Sequence, residues 1–201
     1  MGKTHAPRPG HVQCWTPLFT AFACLLAFAA WPLKALAAET THPPLFIMRH
    51  ALAPGVGDPP AFDLSRCDTQ RTLNDVGRAQ ARAVGDWLRE QGIAQALVWA
   101  SPWCRTRETA ELLGLGAVRS HSALASFFQQ GDAQATTAEL RQALRDWRLS
   151  QAKPALVMVT HQVNISALLG RGAAPAEVLR LRLDGRGELL NAASESVYRA
   201  P

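Results

Sequence analysis

Two apolar runs of strand length end in histidine. Leu45–Met48 leads into Arg49-His50, and Ala155–Val159 leads into Thr160-His161. A third run, Ala96–Ala100, leads into Ser101-Pro102-Trp103-Cys104-Arg105. Open α/β sheets bind ligands at the carboxyl ends of their strands, so neighbouring strands of this kind bring Arg49, His50, Arg105 and His161 to one sheet edge. Arginine presents a planar fork that matches phosphate in bidentate fashion and stays charged at any working pH. Taken singly, each residue is ordinary: a lone histidine is usually hydrogen-bonded structure, and a lone arginine a solvated charge. The case rests on three strand ends converging. A metal reading of the same histidines lacks a third ligand, because the chain has no His-x-x-x-His, His-x-His or Cys-x-x-Cys spacing.

The elements that must position these residues can be read from the same chain. Leu45–Met48 is an unbroken apolar run, the pattern of a parallel strand buried on both faces. Ala53–Asp63 carries Pro54, Gly55, Gly57, Pro59 and Pro60 and must be a loop. Asn74 is the expected N-cap of a helix with Asp75 in its first turn, and Ala79, Ala83, Val84, Trp87 and Leu88 follow at helical spacing up to Gly92. Arg105–Leu113 predicts a helix, and Ser120–Gln134 has no regular pattern. Thr136–Leu149 predicts an amphipathic helix with Leu140, Leu144 and Trp147 on one stripe. Ile165–Leu169 starts a short helix closed by Gly170. Val178–Leu183 reads as an edge or half-exposed strand, Asp184-Gly185 as a turn, and Ser196–Arg199 as a last strand. Strands alternating with helices predict an α/β three-layer sandwich with helices on both faces of a mainly parallel central sheet.

A length of 201 residues and 48% hydrophobic content fit one domain. The first 37 residues stand apart. Lys3 and Arg8 precede an apolar run at Pro17–Leu33, and Ala35-Leu36-Ala37 supplies small residues for cleavage, the layout of a secretory signal peptide. An uncleaved anchor is the competing reading of that run. Cleavage leaves a domain over 38–201, expected in the periplasm or outside the cell without stable membrane insertion. It retains 18 basic against 16 acidic residues, or +2 instead of the full chain's +5, and Lys153 is then its single lysine. With no basic run interleaved with aromatics, nucleic acid is not an expected partner. Of the cysteines, Cys67 and Cys104 remain. In an oxidising compartment they pair or stay separate thiols, and the sequence leaves both open.

Four ordered blocks resemble the histidine phosphatase superfamily, which includes the phosphoglycerate mutases. Phe46-Ile47-Met48-Arg49-His50-Ala51 is similar to its R-H-G/A motif, and Leu73-Asn74-Asp75-Val76-Gly77-Arg78-Ala79-Gln80-Ala81 to its following helix start. Ser101-Pro102-Trp103-Cys104-Arg105-Thr106-Arg107-Glu108-Thr109-Ala110 is similar to its S-P-x-x-R-x-x-x-T-A segment, and Val159-Thr160-His161-Gln162 to its second histidine. The resemblance implies a phosphoglycerate mutase-like fold and a phosphomonoesterase in which His50 takes the phosphoryl group. Arg49, Arg105 and His161 would hold its oxygens, with no metal or other cofactor. It also implies a proton donor for the leaving oxygen, and here the chain departs from the pattern: Leu112–Gly131 contains no Asp or Glu, and Gln162 follows the second histidine. Asp132 is the expected donor, with Asp58, Asp63 and Asp68 as alternatives; Glu108 is expected to be structural. Asn164 and Arg71 are expected to touch substrate, with Gln70 beside Arg71, and Trp103 to line the pocket rim. The implied substrate is a small-molecule or glycan phosphate ester. The alternative from another class is a non-catalytic module that binds phosphate, motivated by the missing acid.

Overall fold

The computed structural model describes residues 1–2, 42–150 and 154–195. The expected signal peptide and the expected strand at Ser196–Arg199 lie outside the described residues. In chain order the elements are β1 (Leu45–Arg49), α1 (Asp75–Glu90), β2 (Ala96–Ala100), α2 (Cys104–Leu112), β3 (Val118–Ser120), α3 (Ala133–Leu149), β4 (Ala155–Thr160), α4 (Gln162–Leu169), β5 (Val178–Leu183) and β6 (Leu189–Glu195). The strands form one six-stranded sheet in the order β3-β2-β4-β1-β5-β6. β3, β2, β4 and β1 run parallel, while β5 lies antiparallel to β1 and β6 antiparallel to β5. The mixed α/β sandwich expected from the sequence is present.

Strand alternation divides the core in two. Phe46, Met48, Val98, Val157 and Val159 face α1 and α2, packing on Ala81, Val84, Leu88 and Ala110. Leu45, Ile47, Leu156 and Met158 face the other way onto Leu140, Leu144 and Trp147 of α3 and Ile165 and Leu168 of α4. Side chains one residue apart point to opposite faces, so helices on both faces demand apolar residues at consecutive positions. This is why β1 and β4 read as unbroken apolar runs.

Two strands, β3 and β6, lie outside the sequence expectation. β3 is not apparent in the sequence, because of its three residues only Val118 packs against the core and the other two are exposed. β5 is an interior strand lying between β1 and β6. Of the two expected forms, edge or half-exposed, it takes the second: Arg182 is exposed, and half-buried Arg180 extends across the Phe46 ring at 4.9 Å while its Nε donates to Glu195 at 3.0 Å.

The start of α1 fixes the loop that follows β1. Asn74 caps the helix, its side chain accepting from the Gly77 amide at 2.8 Å. Gly77 lies so close to that loop that a Cβ there would fall 2.2 Å from the Leu52 carbonyl oxygen. Only glycine permits this approach.

Candidate active site

The carboxyl ends of β1, β2 and β4 are adjacent because β4 pairs with both of the others, in register through Arg49–Thr160 and Ala100–Val159. His50 follows β1, and its amide donates to the Thr160 carbonyl at 2.9 Å. His161 follows β4, and the two imidazole centroids stand 5.4 Å apart. Arg105 sits in the first turn of α2, just beyond β2. Arg49, His50, Arg105 and His161 line one pocket of about 190 Å³. The convergence expected from three strand ends is what the fold builds.

His50 is buried, and its Nδ1 lies 2.7 Å from the Ala51 carbonyl oxygen. A carbonyl only accepts, so Nδ1 carries the hydrogen and Nε2 keeps its lone pair. Burial is the largest influence on the ring's protonation and outweighs the opposing hydrogen bond to Ala51; Arg105, Arg49 and Arg71 add to it, bringing the pKa down to about 3. The imidazole is therefore neutral across the working pH range. Residues outside this pocket brace its loop: the Ala51 amide donates to Thr109 Oγ1 at 3.1 Å and the Leu52 amide to Gln80 Oε1 at 2.9 Å. The polar residues of the second and third sequence blocks thus hold the backbone that carries His50.

His161 is held well below the ordinary imidazole value by burial first, then by His50 and the arginines. Its Nε2 pairs with Ser101 Oγ at 2.7 Å, while Arg105 Nη2 donates to its Nδ1 at 3.5 Å. A hydroxyl both donates and accepts, so Ser101 supports either tautomer of His161 and lets Nδ1 become a donor toward an anion. Arg49 Nη1 donates to Gln162 Oε1 and to the Ala173 carbonyl, each at 3.0 Å. Arg71 also lines the pocket, its Nη1 tied to the Ala53 and Gly55 carbonyls at 2.6 and 2.5 Å. The Nε atoms of Arg49, Arg71 and Arg105 are buried and have no hydrogen-bond partner among the described residues. Such donors are costly to leave unpaired, and three cationic arginines around one pocket favour an anionic occupant. Burial lowers the pKa of each of these arginines, yet guanidinium remains cationic.

Two expected site residues are displaced from the chemistry. Asp132 is the N-cap of α3, accepting from the Gln134 and Ala135 amides at 2.7 and 3.0 Å on the exposed surface, and it does not line the pocket. Its helix, not a substrate, uses it. Asn164 points from α4 toward the loop after β3, where its Nδ2 donates to the Ala125 carbonyl at 2.7 Å; Gln162 and Val163 line the pocket in its place. The carboxylate that does line the pocket is Asp58, one of the alternatives. Arg105 Nη1 donates to both its oxygens at 2.8 and 3.0 Å, Trp103 Nε1 to Oδ2 at 3.1 Å, and the Arg71 amide to Oδ1 at 2.9 Å. Glu108 pairs with Arg78 at 2.6 Å and is structural, as expected. Gln70 holds the pocket from behind, accepting from the Cys104 amide at 3.0 Å. Cys67 and Cys104 are joined in a disulfide. Among the described residues, no three His, Cys, Asp or Glu side chains gather as a metal site requires.

The buried histidines make stability depend on pH. Unfolded, each imidazole takes a proton near its ordinary value of 6.5; folded, His50 refuses it until about 3. Between those values the unfolded state holds more protons, so this contribution to stability is complete above 6.5 and declines as pH falls. The urea midpoint is expected to drop between pH 7.5 and 5, above the carboxylate range. His50→Asn should remove up to about 1.4 kcal/mol per pH unit of that slope. An unchanged slope in the variant would mean that the folded protein accommodates the imidazolium.

Comparison with known proteins places this arrangement. Residues 45–125 match the model of the histidine phosphatase superfamily (branch 1), a stretch that contains Arg49, His50 and Arg105 and stops before His161. No curated protein sequence matches the chain. Among solved structures, the protein histidine phosphatase SixA complexed with tungstate is 21% identical, covers 76% of this chain and 94% of its own, and superposes with a TM-score of 0.54. A mycobacterial glucosyl-3-phosphoglycerate phosphatase complexed with VO3 is 17% identical over 80% of this chain and 100% of its own, with a TM-score of 0.56. A phosphoserine phosphatase from Entamoeba histolytica is 14% identical over 77% and 98%, with a TM-score of 0.58. At these identities the likeness is one of fold. Taken with the converged strand ends, it shows a phosphoglycerate mutase-like fold, of which residues 45–125 match the histidine phosphatase superfamily model.

Proposed function

We propose that the protein is a phosphomonoesterase that works through a phosphohistidine on His50 and needs no metal ion. The observation that carries this reading is His50 itself: a buried, neutral imidazole whose Nδ1–H is committed to Ala51, leaving the Nε2 lone pair for attack beside three arginines. In the first step Nε2 forms a bond to phosphorus as the ester P–O bond breaks. Arg49, Arg105 and His161 take the charge on the phosphoryl oxygens, the electrostatic task that dominates phosphoryl transfer. In the second step water attacks phosphorus, the P–N bond returns its electrons to Nε2, and phosphate leaves with one of the water's protons while the other passes to solvent, from which the departed leaving-group oxygen takes one up. Splitting one displacement into two is the benefit of a covalent intermediate.

Asp58 holds Arg105 in place. Both its oxygens accept from Arg105, Trp103 or the Arg71 amide, so among the described residues no free carboxyl faces the pocket. This arrangement favours esters whose leaving oxygen departs without a strong acid. That tungstate and VO3 accompany two of the similar structures supports an oxyanion site here. The disulfide supports a location outside the cytoplasm, in keeping with the expected signal peptide.

Incubation with radiolabelled p-nitrophenyl phosphate and EDTA, quenched in alkali, is expected to leave label on the peptide containing His50. Phosphohistidine survives alkali and is lost in acid. Turnover abolished by the chelator would sink the metal-free reading. Absence of both label and turnover, with phosphate still raising Tm, would leave a binding module.

A further inference from the structure

We infer that the leaving-group side of the pocket is built for an uncharged moiety with an apolar face, a ring or larger, next to the phosphoryl group; this rests on the phosphatase reading. A second cavity of about 310 Å³ adjoins the first and shares with it Phe62, Trp103, Ser126 and Gln130. That volume lies in the range of a small-ligand site.

Trp103 is a wall of both. On the phosphate side its ring stands edge-on to His161, centroids 5.2 Å apart, and its Nε1 is pinned to Asp58. It also meets the Phe62 ring, another shared wall, at 6.0 Å with planes tilted 39°. The second cavity is further lined by Leu64, Pro102 and Phe127, together with Thr136. No lining residue of this second cavity carries a charge, whereas three arginines and Asp58 line the first. A charged leaving group placed there would lose water and gain no counter-charge. An apolar face would gain contact area, and Ser126, Gln130 and Thr136 supply neutral hydrogen bonds for a hydroxyl or amide edge.

The surface around both mouths agrees. Val56, Leu64 and Phe128 are 88, 37 and 56% exposed, and they line these two cavities. Exposed apolar side chains gathered at one place mark a binding surface. The shared walls make the substrate's own leaving group the occupant, since the Trp103 ring they include stands 5.2 Å from the His161 ring. An aryl ring and a sugar ring both offer such a face.

The test compares kcat/KM for esters of matched leaving-group acidity: p-biphenylyl phosphate, phenyl phosphate and phosphotyrosine as aryl esters, and glucose 6-phosphate and phosphoserine as alkyl esters. The uncharged member is expected to exceed its charged partner by about tenfold or more. The arm that shows the larger preference identifies the ring as aromatic or sugar. Leu64→Asp, at an exposed position, should fold normally, with unchanged Tm, and cut the p-biphenylyl to phenyl ratio by about fivefold or more. Phosphotyrosine and phosphoserine turned over as fast as their uncharged counterparts would overturn the inference, as would a ratio indifferent to Leu64→Asp. Failure of every ester would overturn the phosphatase reading instead, and this inference with it.

Discussion

His50→Asn should lose turnover by a factor on the order of ten thousand while retaining the fold and the affinity for phosphate. The size of the effect follows from what is removed. No second group at the pocket offers an equivalent lone pair: His161 engages Ser101 with Nε2 and Arg105 with Nδ1. Asparagine keeps a short amide N–H near the Ala51 carbonyl, and the backbone bond from residue 50 to Thr160 does not depend on the side chain. The loop therefore stays braced by Thr109 and Gln80. Arg49, Arg105 and His161 remain to bind the anion, so phosphate at a hundred times its Kd should still stabilise the variant by about 2.7 kcal/mol. The two readouts separate chemistry from binding. A variant that kept more than about one hundredth of the native rate would move the nucleophile elsewhere.

The parts of this molecule that were legible in the sequence share a physical property: each is fixed by near neighbours or by burial on both faces. β1, β2 and β4 announce themselves as apolar runs because helices cover the sheet on each side. The start of α1 was readable at Asn74 because a cap is a local hydrogen bond. Arg49, His50, Arg105 and His161 were readable because strand ends converge in this kind of sheet. The misplaced acid shows the opposite situation. Asp132 is the nearest acidic residue to the acid-free stretch Leu112–Gly131, yet an aspartate just ahead of a helical pattern is itself a capping signal, and that local use prevails. Asp58 reaches Arg105 across 47 residues from a Pro- and Gly-rich loop, and no periodicity reports such a contact. Asn164 failed for a related reason: a helix start has several faces, and the face three residues after His161 belongs to the Ala125 loop. The pocket's second half was equally hidden, since Phe62, Leu64 and Phe127 come from segments without regular structure.

Cys67→Ser should lower the free energy of unfolding by about 4 kcal/mol, from the entropy of closing a loop between cysteines 37 positions apart. For a domain of this size that corresponds to a fall of roughly 8–16 °C in Tm, measurable by calorimetry with and without reductant. The same bond bears on activity, because it ties the long loop after β1 to the residue before Arg105. That loop carries Val56, Asp58, Phe62 and Arg71 to the pocket, and only a single turn at Cys67–Thr69 gives it regular structure. With the bond gone, the Gln70 contact to the Cys104 amide and the Asp58 contact to Arg105 still hold, so His50 keeps its geometry. The loop's average position loosens, and the expected signature is a severalfold rise in KM with kcat much less affected. Cys67 is exposed and Cys104 buried, so a small dithiol reaches the bond from the loop side and should reproduce the variant's phenotype reversibly. A Tm within about 2 °C of the native value would show that hydrogen bonds alone hold the loop. A fall in kcat as large as that of His50→Asn would show that the disulfide supports the nucleophile itself.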